Sequence, residues 1–259
     1  MNKGKWGKPI IGVVSVLIFI FLWDLFSLIV NSSYLPSPQQ TFIALTSMLI
    51  HNERDFLGLS ISQHISASLV RVFYGFVLAA VIAIPLGLLS GWLWYAEAAI
   101  SPIMELIRPI PPLAWIPFAI YFFKDPIGSV FIVFVGAFFP IFLSTVAAVK
   151  SIDPLLIDAA KTLGAEGLNM FRKVVIPASI PGIITGLRTG VGIAWMCVIA
   201  SELVGVKSGG LGLYIILMSE VGRFENVFAG MIIIGALGFI MVTSIAHIER
   251  RLSTWAGMS

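Results

Sequence analysis

The sequence predicts an all-α polytopic membrane protein with about six transmembrane helices, and three observations support this prediction. Hydrophobic residues make up 58% of the 259 residues and charged residues only 11%, against roughly 45–50% and roughly 25% in soluble proteins. The apolar residues fall into several runs of about 20, the length that crosses a bilayer as a helix. Basic residues concentrate on one side of those runs. These observations exclude soluble enzymes, nucleic-acid-binding proteins and disordered proteins.

The first apolar run spans residues 10–30 and contains one charged residue, Asp24. A basic flank precedes it, as in a signal peptide, but the run is longer than the roughly 7–15 residues of a cleavable apolar region. No Ala-x-Ala cleavage pattern follows it, so the sequence predicts an uncleaved first helix. The polar segment 31–63 predicts an outer loop, in which the amphipathic stretch around residues 41–50 is typical of an interfacial helix.

Five further apolar runs predict spans at about residues 65–91, 96–123, 127–149, 181–204 and 227–248. The run at 96–123, which is the third span of the chain, contains four prolines within nine residues: Pro109, Pro111, Pro112 and Pro117. Proline removes a backbone donor and clashes within a helix, so this span is expected to break or unwind. Irregular backbone at membrane depth is tolerated only beside protein or a water-filled cavity, so a cavity is expected near the break.

The distribution of the sixteen basic residues tests this threading. With six spans and the N-terminus inside, nine lie on the inner side: Lys3, Lys5, Lys8, Lys150, Lys161, Arg172, Lys173, Arg250 and Arg251. Four lie outside, namely Arg54, Lys124, Lys207 and Arg223, and three lie within spans. The inner excess agrees with the positive-inside rule. Both termini and the segment 150–180 are therefore expected in the cytoplasm.

The inner segment 150–180 predicts a helix–turn–helix. Pro154 suits the first turn of a helix and Asp153 its N-cap. Apolar residues then recur at helical spacing and form one stripe: Leu155, Leu156, Ala159, Ala160 and Leu163. Gly164 permits the left-handed backbone that ends many helices, and Pro177 and Pro181 are expected to close the loop before the next span. The stripe either packs on the protein's own helices or fits a groove in a soluble partner.

This segment resembles the EAA loop of ABC-importer permeases, whose pattern is Glu-Ala-Ala-x3-Gly-x9-Ile-x-Leu-Pro. The matching positions, all at the family's spacing, are Asp158, Ala159, Ala160, Gly164, Val174, Ile176 and Pro177. Three of them differ from the pattern, with Asp for Glu at 158, Val for Ile at 174 and Ile for Leu at 176. Asp158 is one methylene shorter than the family's glutamate.

Three other segments are similar to one branch of these permeases, the nitrate, sulfonate, taurine and bicarbonate importers. They are the run from Arg108 to Pro117, the early Leu35-Pro36-Ser37-Pro38, and Gly209-Gly210-Leu211-Gly212. The resemblance implies a type I importer (MetI-like) core with a cytoplasmic coupling helix over residues 65–259, with the coupling loop at about 150–180. Residues 1–64 would add a transmembrane helix and an outer loop with an interfacial helix.

The resemblance also implies partners. Two copies of the chain would form the pathway, two ATP-binding cassette subunits would bind ATP and Mg²⁺ and dock on the coupling loops, and an external binding protein would deliver the solute. The chain itself has no phosphate-binding loop of the Gly-x4-Gly-Lys-Ser/Thr type, so no cofactor, metal or catalytic residue is expected in it. The branch points to a small oxyanion or sulfonate, and related branches leave a neutral or aromatic nutrient open.

Ionisable residues inside spans are expensive and are therefore candidates for the pathway. They are Arg71, Arg108, Arg188 and Glu202, and Pro111, Pro112 and Trp115 accompany Arg108 at the break. Each of these charged residues also has a structural alternative to a role in the pathway. Arg71 and Arg188 would reach the lipid headgroups, and Arg108 would pair with Glu105 or Glu97. Glu202 would be either an interfacial carboxylate or the partner of an arginine. Gly182, Gly186 and Gly190 are expected to pack helices closely, within one subunit or between subunits.

Two other functions compete with an importer subunit. A secondary transporter or channel that works alone would have no use for an ATPase-docking loop. An intramembrane enzyme is disfavoured, because no His-Glu-x2-His or Gly-x-Ser-x-Gly pattern occurs.

Overall fold

The computed structural model describes residues 7–51 and 54–255, and side chains of residues 10–51 and 54–250. Lys3, Lys5 and the side chains of Lys8 and Arg251, which the threading places inside, lie outside these described ranges. The described residues form eleven α-helices and no β-strand, so the all-α prediction is confirmed. The helices are α1 Gly7–Val30, α2 Pro38–Ile50, α3 Ile61–Trp92, α4 Trp94–Ile107, α5 Ile116–Phe123, α6 Ile127–Lys150, α7 Pro154–Thr162, α8 Gly167–Met170, α9 Ile176–Gly205, α10 Leu211–Glu220 and α11 Phe224–Trp255.

Five stretches are long and apolar enough to cross a membrane: one each in α1, α3, α6 and α11, and one that runs from α8 through α9. A sixth span is formed if α4 and residues 112–123 are counted together, across a bend of 80°. The prediction of about six spans with a broken third one is therefore confirmed. The protein is a multi-pass membrane protein.

Helix α6 is the centre of the molecule and lies between α3 and α9. Glycines on both neighbours allow this close approach. An ideal Cβ on Gly186 would lie 2.7 Å from Ser144 Cβ, and one on Gly190 2.8 Å from Ile141 Cγ1, both on α6. Gly75, Gly87 and Gly91 of α3 and Gly182 of α9 face α6 in the same way. Gly182, Gly186 and Gly190, which the sequence predicts to pack helices closely, thus do so within one chain.

Helix α1 is attached to the other helices mainly near its C-terminal end. The Trp23 ring stacks on Phe228 of α11 at 5.8 Å between centroids, its Nε1 donates to Pro36 O, and Ser27 Oγ donates to Leu35 O. Almost all other side chains of α1 from residue 10 onward are exposed and apolar, as expected of a helix surrounded by lipid. Helix α2, expected around residues 41–50, begins at Pro38 with a Ser37–Gln40 capping box and packs on α11.

Two details of the sequence interpretation were wrong. Pro177 and Pro181 do not close the loop: α9 begins at Ile176, so Pro177 lies in its first turn and Pro181 inside it. Pro177 directly follows the π-helical turn at Phe171–Val175, where Ile176 N donates to Phe171 O, five residues back, so the regular i→i−4 hydrogen bonding is already shifted at the position where proline lacks a donor. The sequence interpretation also missed α10, a ten-residue apolar helix whose first four residues are buried. It is too short to cross a bilayer, so an apolar run of the length of a span does not indicate it.

Candidate coupling loop, broken span and buried polar network

We call the end of the bundle that carries residues 151–175 the loop end, and the opposite end the far end. Helix α7 lies at the loop end and begins as the sequence predicts, with Asp153 Oδ1 accepting from Leu155 N at 2.8 Å. Its apolar stripe is exposed rather than packed: Leu155 is 74% exposed and Leu163 88%. The alternative in which the stripe packs on the protein's own helices does not hold for these leucines. These leucines form an exposed apolar ridge outside the spans.

The matched residues of the coupling loop divide into two groups. Asp158 and Ala159 are exposed, and Asp158 pairs with Lys161 at 3.0 Å. Gly164 has φ +79°, and an added Cβ would meet nothing within 4 Å, so a side chain there is opposed by backbone strain alone.

The other group attaches the loop to the bundle. Ala160, Val174 and Ile176 are half-buried against a cluster that includes Leu88 of α3 and Val149 of α6. Pro177 is exposed in the first turn of α9. A π-helical turn at Phe171–Val175 joins α8 to α9 without interruption. The loop is therefore attached to the bundle by residues from both its N-terminal and its C-terminal parts, whereas Asp158 and Ala159 remain exposed.

The broken span changes direction after Arg108, which follows α4. A 3₁₀ turn at Pro112–Trp115 then leads into α5, with Pro111 before it and Pro117 inside the first turn of α5. Arg108 is exposed, and no carboxylate of the described residues lies within ion-pair distance of it. Glu97 pairs with Lys150 instead. The structure thus contains neither of the two ion pairs suggested for Arg108.

The two arms of the broken span are packed differently. None of the residues of α4, all of which the structure describes, is buried. In α5, Ile116 and Ala119 are buried against α6. Trp115 at the break is half-buried beside Phe118 and Phe131, and its Nε1 has no acceptor among the described residues.

At the far end, α3 presents three buried polar side chains at positions i, i+4 and i+7: His64, Ser68 and Arg71. They lie on one face of the helix and point to the segment between α9 and α10. Glu202, in the last turns of α9, is fully buried opposite them. We call these four residues, with Asp55, Asp125 and Ser208, the far-end network.

Arg71 occupies the middle of the far-end network. Its Nη1 donates to Glu202 Oε1 at 2.8 Å and to Gly209 O at 2.6 Å. Its Nη2 donates to Ser208 Oγ at 2.7 Å and lies 3.4 Å from Asp125 Oδ1. Because Arg71 is 3% exposed, it does not reach the headgroups, and that alternative was wrong.

Glu202 fixes the start of α10. Its carboxylate accepts from Ser68 Oγ at 2.8 Å and from Gly212 N at 3.0 Å, and Ser68 Oγ accepts from Leu211 N. A carboxylate at a helix N-terminus is favoured by otherwise unpaired amide hydrogens and by the helix dipole. Two alternatives were open for Glu202, an interfacial carboxylate or the partner of an arginine. In the structure Glu202 is the partner of Arg71.

The Gly209-Gly210-Leu211-Gly212 segment is explained by this contact. Gly210 has φ +146°, and a Cβ there would lie 2.4 Å from Glu202 Cδ. A Cβ on Gly212 would lie 2.4 Å from Ile199 O. Only glycine lets the backbone pass so close to the buried carboxylate.

His64 connects the network to the loop before α3. Its Nε2 lies 2.9 Å from Asp55 Oδ2 and its Nδ1 lies 2.8 Å from Gly210 O, and both side chains are fully buried. Asp55 Oδ1 also accepts from Leu57 N and Leu59 N. Asp55 therefore closes its own loop and orients the imidazole.

The remaining arginine candidate lies toward the loop end. Arg188 of α9 is 47% exposed and its Nη1 lies 3.2 Å from Glu249 Oε2 of α11. Of the seven pathway candidates, the structure brings together Arg71 with Glu202, and Arg108 with Pro111, Pro112 and Trp115. It leaves Arg188 apart from both groups.

Sequence reasoning missed His64, Ser68, Asp55, Asp125 and Ser208. A signal was available for the first two, because polar residues at 64, 68 and 71 form a stripe along an otherwise apolar span. Nothing local marked Asp55, Asp125 or Ser208, which lie in connecting segments and meet Arg71 or His64 only through the tertiary fold.

Comparison with known proteins gives consistent matches. Residues 83–254 match the family described as the binding-protein-dependent transport system inner membrane component. A putative ABC transporter permease protein of Methanocaldococcus jannaschii is 41% identical over 92% of this chain and 89% of its own length. The taurine transport system permease protein TauC of Escherichia coli is 31% identical, covering 98% of this chain and 94% of that protein.

Two further similarities concern another named solute and the fold. The bicarbonate transport system permease protein CmpB of Synechococcus elongatus is 31% identical over 95% of this chain and 91% of its own. An inward-facing structure of the MetNI methionine ABC transporter superposes with a TM-score of 0.62 at 21% identity, covering 80% of this chain and 97% of that one. At this identity the superposition concerns the fold alone.

Proposed function

The chain belongs to the family of binding-protein-dependent transport system inner membrane components, and on this premise we propose that it forms the translocation pathway of an ATP-driven importer for a small oxyanion or sulfonate. The relatives named for taurine and bicarbonate support this class of solute. The observation that carries the proposal concerns the loop end. There, the sequence keeps the full spacing of the EAA loop, and the leucines of α7 form an exposed ridge.

The loop end is the cytoplasmic end in this proposal. The inner excess of basic residues supports this orientation, with both termini in the cytoplasm of a cell whose inner or plasma membrane holds the protein. The helix α7 and the turn at Gly164 would then face a cytoplasmic ATPase subunit. That subunit binds ATP and Mg²⁺, and the chain itself contributes no catalytic residue.

Docking follows from the surface of α7. Leu155, Leu156 and Leu163 are 74%, 47% and 88% exposed, and their burial in a groove of the ATPase subunit would release water from apolar surface. The half-buried Ala160 and Val174 tie this ridge to α3 and α6. A movement of the ATPase subunit is thereby passed to the spans rather than absorbed by the loop.

The pathway is assigned to the seam between two copies of the chain, where the broken spans meet. Arg108 is exposed and without an ion-pair partner among the described residues, and it lies at the bend beside Pro111, Pro112 and Trp115. A planar guanidinium pairs two oxygens of a sulfonate, nitrate or bicarbonate at once. Because an importer must also release its solute, this attraction is brief, and the external binding protein sets most of the selectivity.

Reconstitution of the chain with its ATPase subunit and binding protein tests the proposal. We expect liposomes to take up labelled taurine, nitrate or bicarbonate only with ATP inside and the binding protein outside. Uptake by the chain alone, without ATP, would identify a secondary transporter or channel and reject the proposal. Uptake of a neutral nutrient only would reject the solute class and leave the importer assignment standing.

The role of Arg108 is tested separately in the same liposomes. Arg108→Gln is expected to lower anion uptake while ATPase activity stimulated by the binding protein persists, because the guanidinium meets the solute and not the ATPase subunit. Arg223→Gln is the matched control, since Arg223 is also exposed but lies in the turn between α10 and α11. Equal uptake by the two variants would remove Arg108 from the pathway.

A further inference from the structure

The two sides of the Arg71 guanidinium are bound very differently. On one side, Nη1 meets Glu202 at 2.8 Å, and both side chains are at most 3% exposed. On the other side, Nη2 lies 3.4 Å from Asp125, whose side chain is 18% exposed. Separating Arg71 from Glu202 would leave the fully buried Glu202 carboxylate without a counter-charge and Arg71 with only the longer contact to Asp125. Separating it from Asp125 would expose Asp125 to water, which costs far less.

Asp125 joins two connecting segments that belong to different parts of the molecule. Its Oδ2 accepts from Ser208 N at 3.1 Å and from Ser208 Oγ, and Lys207 N lies 3.4 Å away. Asp125 comes two residues after α5, the far arm of the broken span, whereas Ser208 comes three residues after α9. One carboxylate thus ties the broken span to the helix that continues from the coupling loop.

The residue before Asp125 has a strained backbone. Lys124 has φ 59° and ψ 172°, a region that costs a non-glycine residue energy and persists only where the surroundings impose it. The Lys124 side chain is exposed, but its backbone is held on both sides: Lys124 N donates to Ile120 O at 3.1 Å, and Lys124 O accepts from Gly128 N at 2.7 Å. The contacts of Asp125 add to these constraints, so their loss would remove one of the restraints that keep Lys124 in this conformation.

We propose that Asp125 is the releasable part of a latch at the far end. It holds the segment after α5 against the segment after α9 while the pathway is closed on that side, and it separates from Ser208 and Arg71 when that side opens. Arg71, Glu202 and Ser68 remain together as the fixed base of the latch. This inference rests on the proposed function, since a latch is useful only in a protein whose two ends open in turn.

A crosslinking experiment in the assembled transporter tests the latch without disturbing its hydrogen bonds. Lys124→Cys and Lys207→Cys place thiols on the two tied segments at exposed positions, in a Cys197→Ala background that removes the chain's one cysteine. Bifunctional thiol reagents of graded length, cleavable by reduction, then join the two segments. We expect uptake to fall in proportion to the crosslinked fraction and to return after reduction.

A matched pair controls for stiffening of the far end in general. Tyr34 and Phe224 are in ring contact at 4.9 Å and join the segment after α1 to α11, away from the latch. Their double cysteine variant, crosslinked in the same way, is expected to retain uptake. Full uptake by the crosslinked Lys124→Cys/Lys207→Cys protein would overturn the latch, and so would equal losses in the two crosslinked pairs.

Asp125→Asn provides a second measurement that does not need transport. The amide keeps the shape of Asp125 but removes the charge that faces Arg71, so the two segments are expected to separate more often. In the two-cysteine background, longer reagents should then bridge residues 124 and 207 more readily than with Asp125 present. An unchanged dependence on reagent length would overturn the latch, whereas absence of uptake from every reduced protein, wild type included, would count against the importer instead.

Discussion

Replacement of Glu202 by alanine removes a fully buried carboxylate that accepts hydrogen bonds from Arg71, Ser68 and Gly212. Arg71, 3% exposed, would keep only the 3.4 Å contact to Asp125 as an ion pair. Breaking a buried pair by removing one partner costs about 3–5 kcal/mol. The free energy of unfolding is therefore expected to fall by that amount.

The buried Cys197 offers a direct assay. As the chain's one cysteine, it reacts with a thiol-specific fluorogenic dye only when the protein around it opens. Heating the purified protein in detergent with this dye gives an unfolding midpoint. At about 2–4 °C per kcal/mol for a chain of this size, the Glu202→Ala midpoint should fall by about 6–20 °C.

Glu249→Ala is the control, because it breaks another Glu–Arg pair of similar geometry in an exposed place. The Arg188–Glu249 distance is 3.2 Å, but the two side chains are 47% and 21% exposed. Such a pair contributes about 0–1 kcal/mol, so the midpoint should fall by at most about 4 °C. Equal shifts for the two variants would refute the reasoning from burial.

The double variant Arg71→Met/Glu202→Leu separates the two parts of the cost. Removing both charges leaves no unpaired ion in the buried part of the network, since Asp125, which also loses Arg71, is 18% exposed. Apolar residues of similar volume often replace a buried pair without loss. Its unfolding midpoint should therefore lie above that of Glu202→Ala. A midpoint below it would mean that hydrogen bonding to Ser68 and Gly212, rather than charge pairing, dominates the network.

Three further predictions concern other parts of the chain. Gly164→Val places a β-branched residue at a position where φ is +79°, which only glycine adopts without strain. Uptake and the ATPase activity stimulated by the binding protein should therefore fall, while the protein still inserts into the membrane. Normal uptake would exclude this loop as the coupling element. Leu163 is 88% exposed and Tyr34 is 70% exposed. A cysteine at position 163 should react with membrane-impermeant thiol reagents added on the cytoplasmic side, and a cysteine at position 34 should react with reagents added outside. The reverse pattern would mean that the topology is inverted. Gly190→Val would bring a Cβ within 2.8 Å of Ile141 on α6, so yield and the unfolding midpoint should drop, unlike those of Gly235→Val, where a Cβ would meet nothing within 4 Å.

Hydrophobic runs and proline positions were enough to predict the spans. The threading matched the helices because a span is a local property: length and hydropathy suffice, and four prolines within nine residues leave no continuous helix. The same logic failed for α10, whose burial depends on packing against α3, α9 and α11. It also misjudged Pro177 and Pro181, because a proline is compatible both with the end of a loop and with the first turns of a helix.

The far-end network was only partly accessible from sequence. Arg71 and Glu202 stood out as charges in apolar runs, but they are 131 positions apart, and no local pattern assigns one to the other. The contacts of Asp125 and His64 depend on how connecting segments fold over the ends of the helices. The coupling loop was predicted from its spacing, and the exposure of its leucine ridge required the structure.

The separation of Arg71 from its partners along the chain also sets an order of events during synthesis. Asp125 is made 54 residues after Arg71 and Glu202 131 residues after it. At about 5–20 residues per second, Arg71 waits about 3–11 s for Asp125 and about 7–26 s for Glu202. Helix α3 is therefore synthesised before either of the two carboxylates that pair with Arg71, and Asp125 is the first of the two to be made. The partner whose contact is longer and more exposed in the finished protein is thus the one that becomes available first during biogenesis.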